Sequence, residues 1–431
     1  MRWWPILLLV PLAGCLTSDP GSVPEDPVPP PPAEAVLAYG APVDLRCPEQ
    51  NPVQGVVHQG CGGFGEPVIE VAGDGTVWAS ATCCIGRSPP IWTSRDGGES
   101  FQPFPFAEGT GATRDAFGIE GDFAVDDAGN VYFFDISAVT SYFTKFAPDG
   151  SHVHTKADPF PPLVDRPWVR AGAEDEVWVF YNTGSATRLY RSADGGLTWE
   201  LLEGASFPCP LMTVGQGPAR DRLFVAGCPD DPRLWVSEDG GRTWADPVRL
   251  PRPDGPFPDG RRTEFLMPPV ADAGGTVYVP LVHAVPGSDA TGLYLDTVGP
   301  DGTARGPFEV RTEGLNTLPW PAAGDAGRVA LAWYGADGED PDGATWHLHA
   351  AAALDADGDT PSFQVVRADP EPVLQGAMGR ELGDFLQSDI GPDGRHYIVY
   401  AQRDGALVNR VVVSEGVDFG AGVPANGPSD G

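Results

Sequence analysis

Lysine is almost absent from this 431-residue chain: of 27 basic residues only Lys145 and Lys156 are lysine, against 60 acidic ones. The formal charge of −33 would repel phosphate backbones, which argues against nucleic-acid binding. No Cys-x-x-Cys pair, phosphate loop, dinucleotide fingerprint or nucleophile elbow occurs, so the common metal, nucleotide and hydrolase signatures are missing. Long helices are excluded by punctuation, since Gly (56) and Pro (47) interrupt the chain throughout. With 41% apolar residues it is still globular, turn-rich and strand-rich.

The start of the chain reads as an address. Met1-Arg2-Trp3-Trp4 precedes the apolar run Pro5 to Leu12, which is too short to span a bilayer. Leu12-Ala13-Gly14-Cys15 matches a bacterial lipobox, so residues 1–15 are expected to be a lipoprotein signal peptide with Cys15 lipidated. Leu16 is not the Asp that favours inner-membrane retention, so the outer membrane or cell surface is the expected address. Residues 16–35, with Pro29-Pro30-Pro31-Pro32, form a tether that favours polyproline II and cannot pack a core.

Six further cysteines, Cys47, Cys61, Cys83, Cys84, Cys209 and Cys228, suit three disulfides in an exported chain. Cys209 and Cys228 share one repeat unit and are expected to pair. The other four could tie the N-terminal arm to the first unit.

One motif recurs. Ser192-Ala193-Asp194-Gly195-Gly196-Leu197-Thr198-Trp199 returns as Ser237-Glu238-Asp239-Gly240-Gly241-Arg242-Thr243-Trp244, and Ser94-Arg95-Asp96-Gly97-Gly98-Glu99-Ser100-Phe101 is a variant. Asp and Ser can close a tight turn on backbone N–H groups, and the Gly pair supplies positive φ. The aromatic that follows can fill the gap between neighbouring sheets. These are Asp-boxes, and on them the chain resembles the sialidase-like (BNR-repeat) β-propellers of exported bacterial proteins.

Around these boxes seven units open with a strand, turn at Asp/Gly and return on a Val/Tyr/Trp strand, as in Thr76-Val77-Trp78 and Thr276-Val277-Tyr278. Seven units of this length predict an all-β propeller of four-stranded blades over residues 36–415. True sialidases have six blades, so six is the alternative count. Asp-boxes are expected between the third and fourth strands. The last unit lacks its own outer strand after Ser414, and the segment Ala35–Leu45 is expected to supply it. Residues 416–431 read as a Gly/Pro-rich tail.

The resemblance implies an arginine triad, a Glu-activated Tyr and an acid in a sialidase. The Arg-Ile-Pro signature is absent, Arg166-Pro167 being the nearest trace, and neither Tyr334 nor Tyr400 stands in a nucleophile motif. No catalytic residue is carried over. From the residues alone, Glu66, Asp122, Asp165, Arg166, Glu264, Trp320 and Asp384, with Glu381, precede or begin inner strands. They are expected to ring one mouth of the central channel, as ligand-binding candidates for a sugar, a cation or a basic peptide.

Asp355-Ala356-Asp357-Gly358-Asp359 resembles the start of a calcium loop, but Thr360 and Val366 stand where Gly and a ligating residue belong. His347-x-His349 and His152-x-His154 each place two imidazoles on one strand face without a third ligand. No cofactor is therefore expected, calcium being the one candidate. The expected role is a surface-anchored, monomeric recognition propeller for glycans or protein partners, without classical sialidase activity. An exo-acting glycoside hydrolase using an acidic channel mouth is the alternative, and an assembly factor is a third reading.

Overall fold

The computed structural model describes residues 36–45, 65–82, 89–104, 118–137, 141–157, 165–182, 187–203, 207, 211–216, 219–253 and 267–421. The expected signal peptide, tether and five of the six further cysteines lie outside these residues. Cys228 is disulfide-bonded, while the pairing expected with Cys209 falls on a residue outside the described set.

Seven antiparallel sheets follow one another along the chain, each built on four strands. Their innermost strands are Val68–Val71, Gly118–Val125, Asp165–Ala171, Leu211–Val214, Val270–Ala271, Leu315–Ala323 and Gln387–Ile390. Each lies beside the next, and Gln387–Ile390 returns to Val68–Val71, which closes the ring. The chain is a seven-bladed β-propeller, not the six-bladed alternative.

Closure comes from the N-terminal segment, as the sequence suggested. Ala38–Tyr39 pairs antiparallel with Glu415 and Ser414 as the outer strand of blade 7. Val43–Asp44 adds a second short pairing on Val411 and Arg410. Tyr39 Oη lies 2.6 Å from His396 Nδ1, fixing the added strand to blade 7. The segment expected as a tail contributes as well: Val417 and Phe419 are buried, and Phe419 bonds the turns of blades 6 and 7 through Asp325 N and Gly394 O.

Each sheet is sandwiched between two others, so both faces of its central strands must be apolar. This explains the unbroken runs Val177-Trp178-Val179-Phe180-Tyr181 and Val131-Tyr132-Phe133-Phe134, all buried. Tyr132, Phe134 and Phe143 of blade 2 pack on Val177, Val179 and Tyr181 of blade 3, and the junctions of blades 4 and 5, 5 and 6, and 7 and 1 have apolar layers of their own.

The Asp-boxes occupy the third-to-fourth-strand turns of blades 1, 3 and 4. In the second box Asp194 accepts from Thr198 N at 2.8 Å and Thr198 Oγ1 at 2.6 Å, and Ser192 Oγ accepts from Gly196 N at 2.8 Å. Asp96 and Asp239 repeat the pattern on Ser100 and Thr243. The second glycine of each box presses on the preceding blade: a Cβ on Gly196 would sit 2.1 Å from Phe143, and one on Gly98 2.7 Å from Val413. Trp199 meets the ring of Phe143 at 4.9 Å, filling the gap between sheets.

A second turn motif joins the blades nearer the axis. Asp126 and Asp272 follow their inner strands and accept from the N–H groups of Asn130 and Thr276 four residues on. Each also accepts from a tyrosine hydroxyl six residues on, Tyr132 and Tyr278, at 2.7 Å. The same carboxylates reach the next blade, taking Asp175 N at 2.9 Å and Gly327 N at 2.8 Å. One aspartate thus closes a turn, orients a strand and staples two blades.

Candidate functional site

The inner strand of a propeller blade is a sheet edge, and its outward N–H groups need acceptors. Side chains of the preceding blade supply them here. Gln387 Oε1 takes Ile69 N at 3.1 Å and Asp389 Oδ2 takes Val71 N at 2.8 Å. Asp122 Oδ2 takes Val169 N at 3.1 Å, and Glu120 Oε1 takes Arg166 N at 2.7 Å. Many axial acids are therefore blade-to-blade links.

At the mouth the structure brings together three of the expected residues, Glu66, Arg166 and Asp384. Arg166 Nη2 bonds Asp384 Oδ2 at 2.5 Å, and Asp384 N donates to Glu66 Oε1 at 3.1 Å. Glu120 and Arg380 complete the cluster and were missed in the sequence. Arg380 pairs with Asp384 and lies 3.8 Å from Glu66. Burial, reinforced by the Glu66 carboxylate, pushes Glu120 well above the carboxylate range, and the two side chains hydrogen-bond each other. Glu66 and Arg166 hold left-handed φ values of 65° and 55°, strain that this bonding maintains.

The other candidates lie elsewhere. Asp165 is exposed, 4.0 Å from Arg166. Glu381 bonds the N–H of Gly379 in its own loop. Glu264 lies outside the described residues. Trp320 is buried below the mouth, against Trp168 at 5.7 Å and Phe385 at 5.8 Å. Trp168 belongs to blade 3 and Trp320 to blade 6, which face each other across a seven-blade ring. Their contact therefore lies over the axis, and with Phe385 it closes the channel beneath the mouth.

Asp122 sits on the far side of this plug, in a cavity of about 800 Å³. Inner strands of all seven blades wall the cavity, and the exposed Gly73, Arg220 and Pro392 mark its rim on the Asp-box side. Arg170 donates to Asp122 at 2.7 Å and, through Nε, to Met212 O at 3.0 Å. Gln387 Nε2 donates to Asp122 Oδ1 at 3.1 Å. Glu70 and Asp389 complete the polar wall. Burial, reinforced by Asp389, pushes Glu70 well above the carboxylate range, and burial lifts Asp389 to about 6. The period-two rule could have found these residues: Arg170 lies two after Trp168, and Asp389 lies two after Gln387.

No family model matches the chain, and no curated protein matches it closely enough to count as a relative. Solved structures do share its architecture. An ulvan lyase of a polysaccharide lyase family aligns at TM-score 0.47 and 13% identity over 84% of this chain and 96% of its own. YCF48 bound to a D1 peptide aligns at 0.48 and 13% over 88% and 98%. Trypanosoma rangeli sialidase aligns at 0.45 and 13% over 86% of this chain and 58% of its own. The likeness is one of propeller fold and assigns no activity.

The remaining motifs settle into structure. Asp355 accepts from Ser362 N at 3.0 Å, closing the third-to-fourth-strand turn of blade 6 as a stretched counterpart of an Asp-box. Tyr334 and Tyr400 lie on the second strands of blades 6 and 7 and are buried. Tyr334 Oη accepts from Ala401 N, and Tyr400 Oη bonds Asp369. Among the described residues no group of three His, Cys, Asp or Glu could hold a metal ion, and this includes both histidine pairs.

Proposed function

We propose that this protein is a recognition propeller, exported and held at a membrane by lipid on Cys15, whose ligand seat is the axial cavity. One observation carries the reading. The mouth is occupied by its own ion pairs, with both arginines bound to Asp384, whereas the cavity behind the aromatic plug is ligand-sized and walled by polar groups. A sialidase needs arginines free for a substrate carboxylate and a tyrosine at the site. Arg166 and Arg380 are engaged, and Tyr334 and Tyr400 are packed within blades. The ligand is a glycan or a protein partner in the envelope.

Glycoside hydrolysis is the competing reading, and it moves from the mouth to the cavity. Glu70 and Asp389 are neighbouring carboxyls with raised pKa, the property a general acid requires. The test is a glycan array and a fluorogenic glycoside panel, sialoside included, run on the wild type, Glu70→Gln and the cavity-filling Thr213→Trp. Binding without turnover, lost in Thr213→Trp, supports recognition. Turnover lost in Glu70→Gln overturns it in favour of the enzyme.

A further inference from the structure

The cavity is a pouch, met at one end by Trp320, which packs on Trp168 and Phe385, and reaching solvent at the Asp-box rim. Its volume suits a small molecule or one long side chain. Its charge is unbalanced. Glu70, Asp122 and Asp389 share one guanidinium, Arg170, and that group is already engaged. Arg170 Nη1 bonds Asp122 at 2.7 Å and Val169 O at 2.6 Å, and Nε bonds Met212 O. Asp389 accepts from two main-chain donors, Val71 N and Ile390 N, each at 2.8 Å, and faces Arg170. Glu70 faces the Val125 N–H, Asp389, Asp122 and the engaged Arg170. At the rim Arg220 lies 3.6 Å from Asp127. The wall thus sets three carboxyls, Glu70, Asp122 and Asp389, against the one guanidinium of Arg170, whose hydrogen bonds go to Asp122 and to main-chain oxygens.

On the reading that this cavity is the ligand seat, we infer that it takes an organic cation, an ammonium group seated between Glu70 of blade 1 and Asp389 of blade 7 with its alkyl chain along Leu211, Met212 and Pro269. An inorganic cation fits poorly, because the described residues offer no three-ligand set and both Asp389 oxygens already hold backbone N–H groups. An alkylammonium needs only two acceptors and an apolar stem, which Leu211, Met212 and Pro269 supply. The ammonium replaces the protons that the crowded carboxyls otherwise hold. Affinity therefore falls with acid, about tenfold per pH unit below the titration of Asp389 near 6.

The test is calorimetry on the full-length protein with cadaverine, with Nα-acetyl-lysine amide and with neutral maltotriose, at pH 7.5 and pH 5. The expected result is amine binding at pH 7.5 that weakens at least about tenfold at pH 5. Glu70→Gln should lose about tenfold or more while melting no lower than wild type, since it removes a crowded carboxyl, and Asp389→Asn should lose as much while melting somewhat lower, since its amide nitrogen cannot accept the second backbone N–H. Tighter binding of cadaverine identifies a free amine as the source, and tighter binding of the lysine amide identifies a protein side chain. No amine binding at pH 7.5 overturns the inference. If maltotriose or an array glycan then binds and is lost in Thr213→Trp, the cavity remains a recognition seat. If none binds, that reading falls with the inference.

Discussion

Asp296 is the least satisfied acid among the described residues, and replacing it should make the protein more stable. It lies in the third strand of blade 5, Thr291–Val298, opposite Val279, with 1% of its surface exposed. Neither carboxylate oxygen has a hydrogen-bond partner. Burial alone pushes its pKa from 3.8 to about 8. The folded-state pKa is raised, so folding takes up a proton between these values. The stability contribution is full below pH 3.8 and is lost as pH rises toward 8. At about 1.4 kcal/mol per unit, the accumulated loss at pH 7 is about 4 kcal/mol. Asp296→Asn keeps the shape and has no proton to take up. Urea unfolding at pH 5, 6 and 7 should show the variant gaining on the wild type by about 3 kcal/mol across that range. Subtracting the two profiles cancels every other titrating group. Parallel profiles would mean that Asp296 is ionised and paired in the native state, and the argument would fail.

Four further perturbations test other parts of the fold. Burial holds His396 down at about 3, so its contribution is full above 6.5 and lost as pH falls toward 3; His396→Gln should reduce the acid-side slope of unfolding free energy by about 1.4 kcal/mol per pH unit, measured between pH 6 and 4. Gly196→Ala drives a Cβ into Phe143 at 2.1 Å and should cost about 3 kcal/mol, whereas Gly75→Ala, with similar φ and open space, should cost about 1 by thermal melting. Asp194→Ala or Asp239→Ala removes the turn acceptor and should lower stability by about 1–2 kcal/mol with ligand binding unchanged; selective loss of binding at unchanged melting would refute a structural role. Arg166→Met leaves Asp384 with Arg380 as its one guanidinium and should cost about 1–3 kcal/mol, while Arg166→Met with Asp384→Leu should recover most of it; equal losses in both would show that the mouth is no ion-pair brace.

The architecture was legible because propeller turns carry their chemistry locally. Ser192, Asp194, Gly196 and Trp199 act within eight residues, so each box announces its own turn. The missing outer strand after Ser414 was legible for a related reason: a ring leaves no free edge, and Ala38–Tyr39 was the segment left to fill it. The site was less legible because it depends on contacts between blades. Arg166 and Asp384 are 218 residues apart and Gln387 and Asp122 are 265 apart, so no spacing in the chain marks either pair. Trp320 looked like a mouth residue by its position in a unit, yet the ring of Trp168 opposite draws it inward.

These contacts divide the axial carboxylates by what each one faces. Asp122 holds a neighbour's N–H and a guanidinium, and Asp384 holds two guanidiniums, so their charges are spent inside the fold. Asp126 and Asp272 are consumed by turns and by the next blade. Glu70 and Asp389 are different, because they share with Asp122 a single guanidinium, Arg170, that hydrogen-bonds elsewhere, and the backbone N–H groups they face orient a carboxylate without neutralising it. A channel built only for strength would pair them, as the mouth pairs its own acids. Leaving two carboxyls short of a counter-charge, in a space that reaches solvent, costs stability that an incoming cation would restore. The −33 charge of the whole chain draws cations of every kind toward the protein; the pouch selects the one with an alkyl stem.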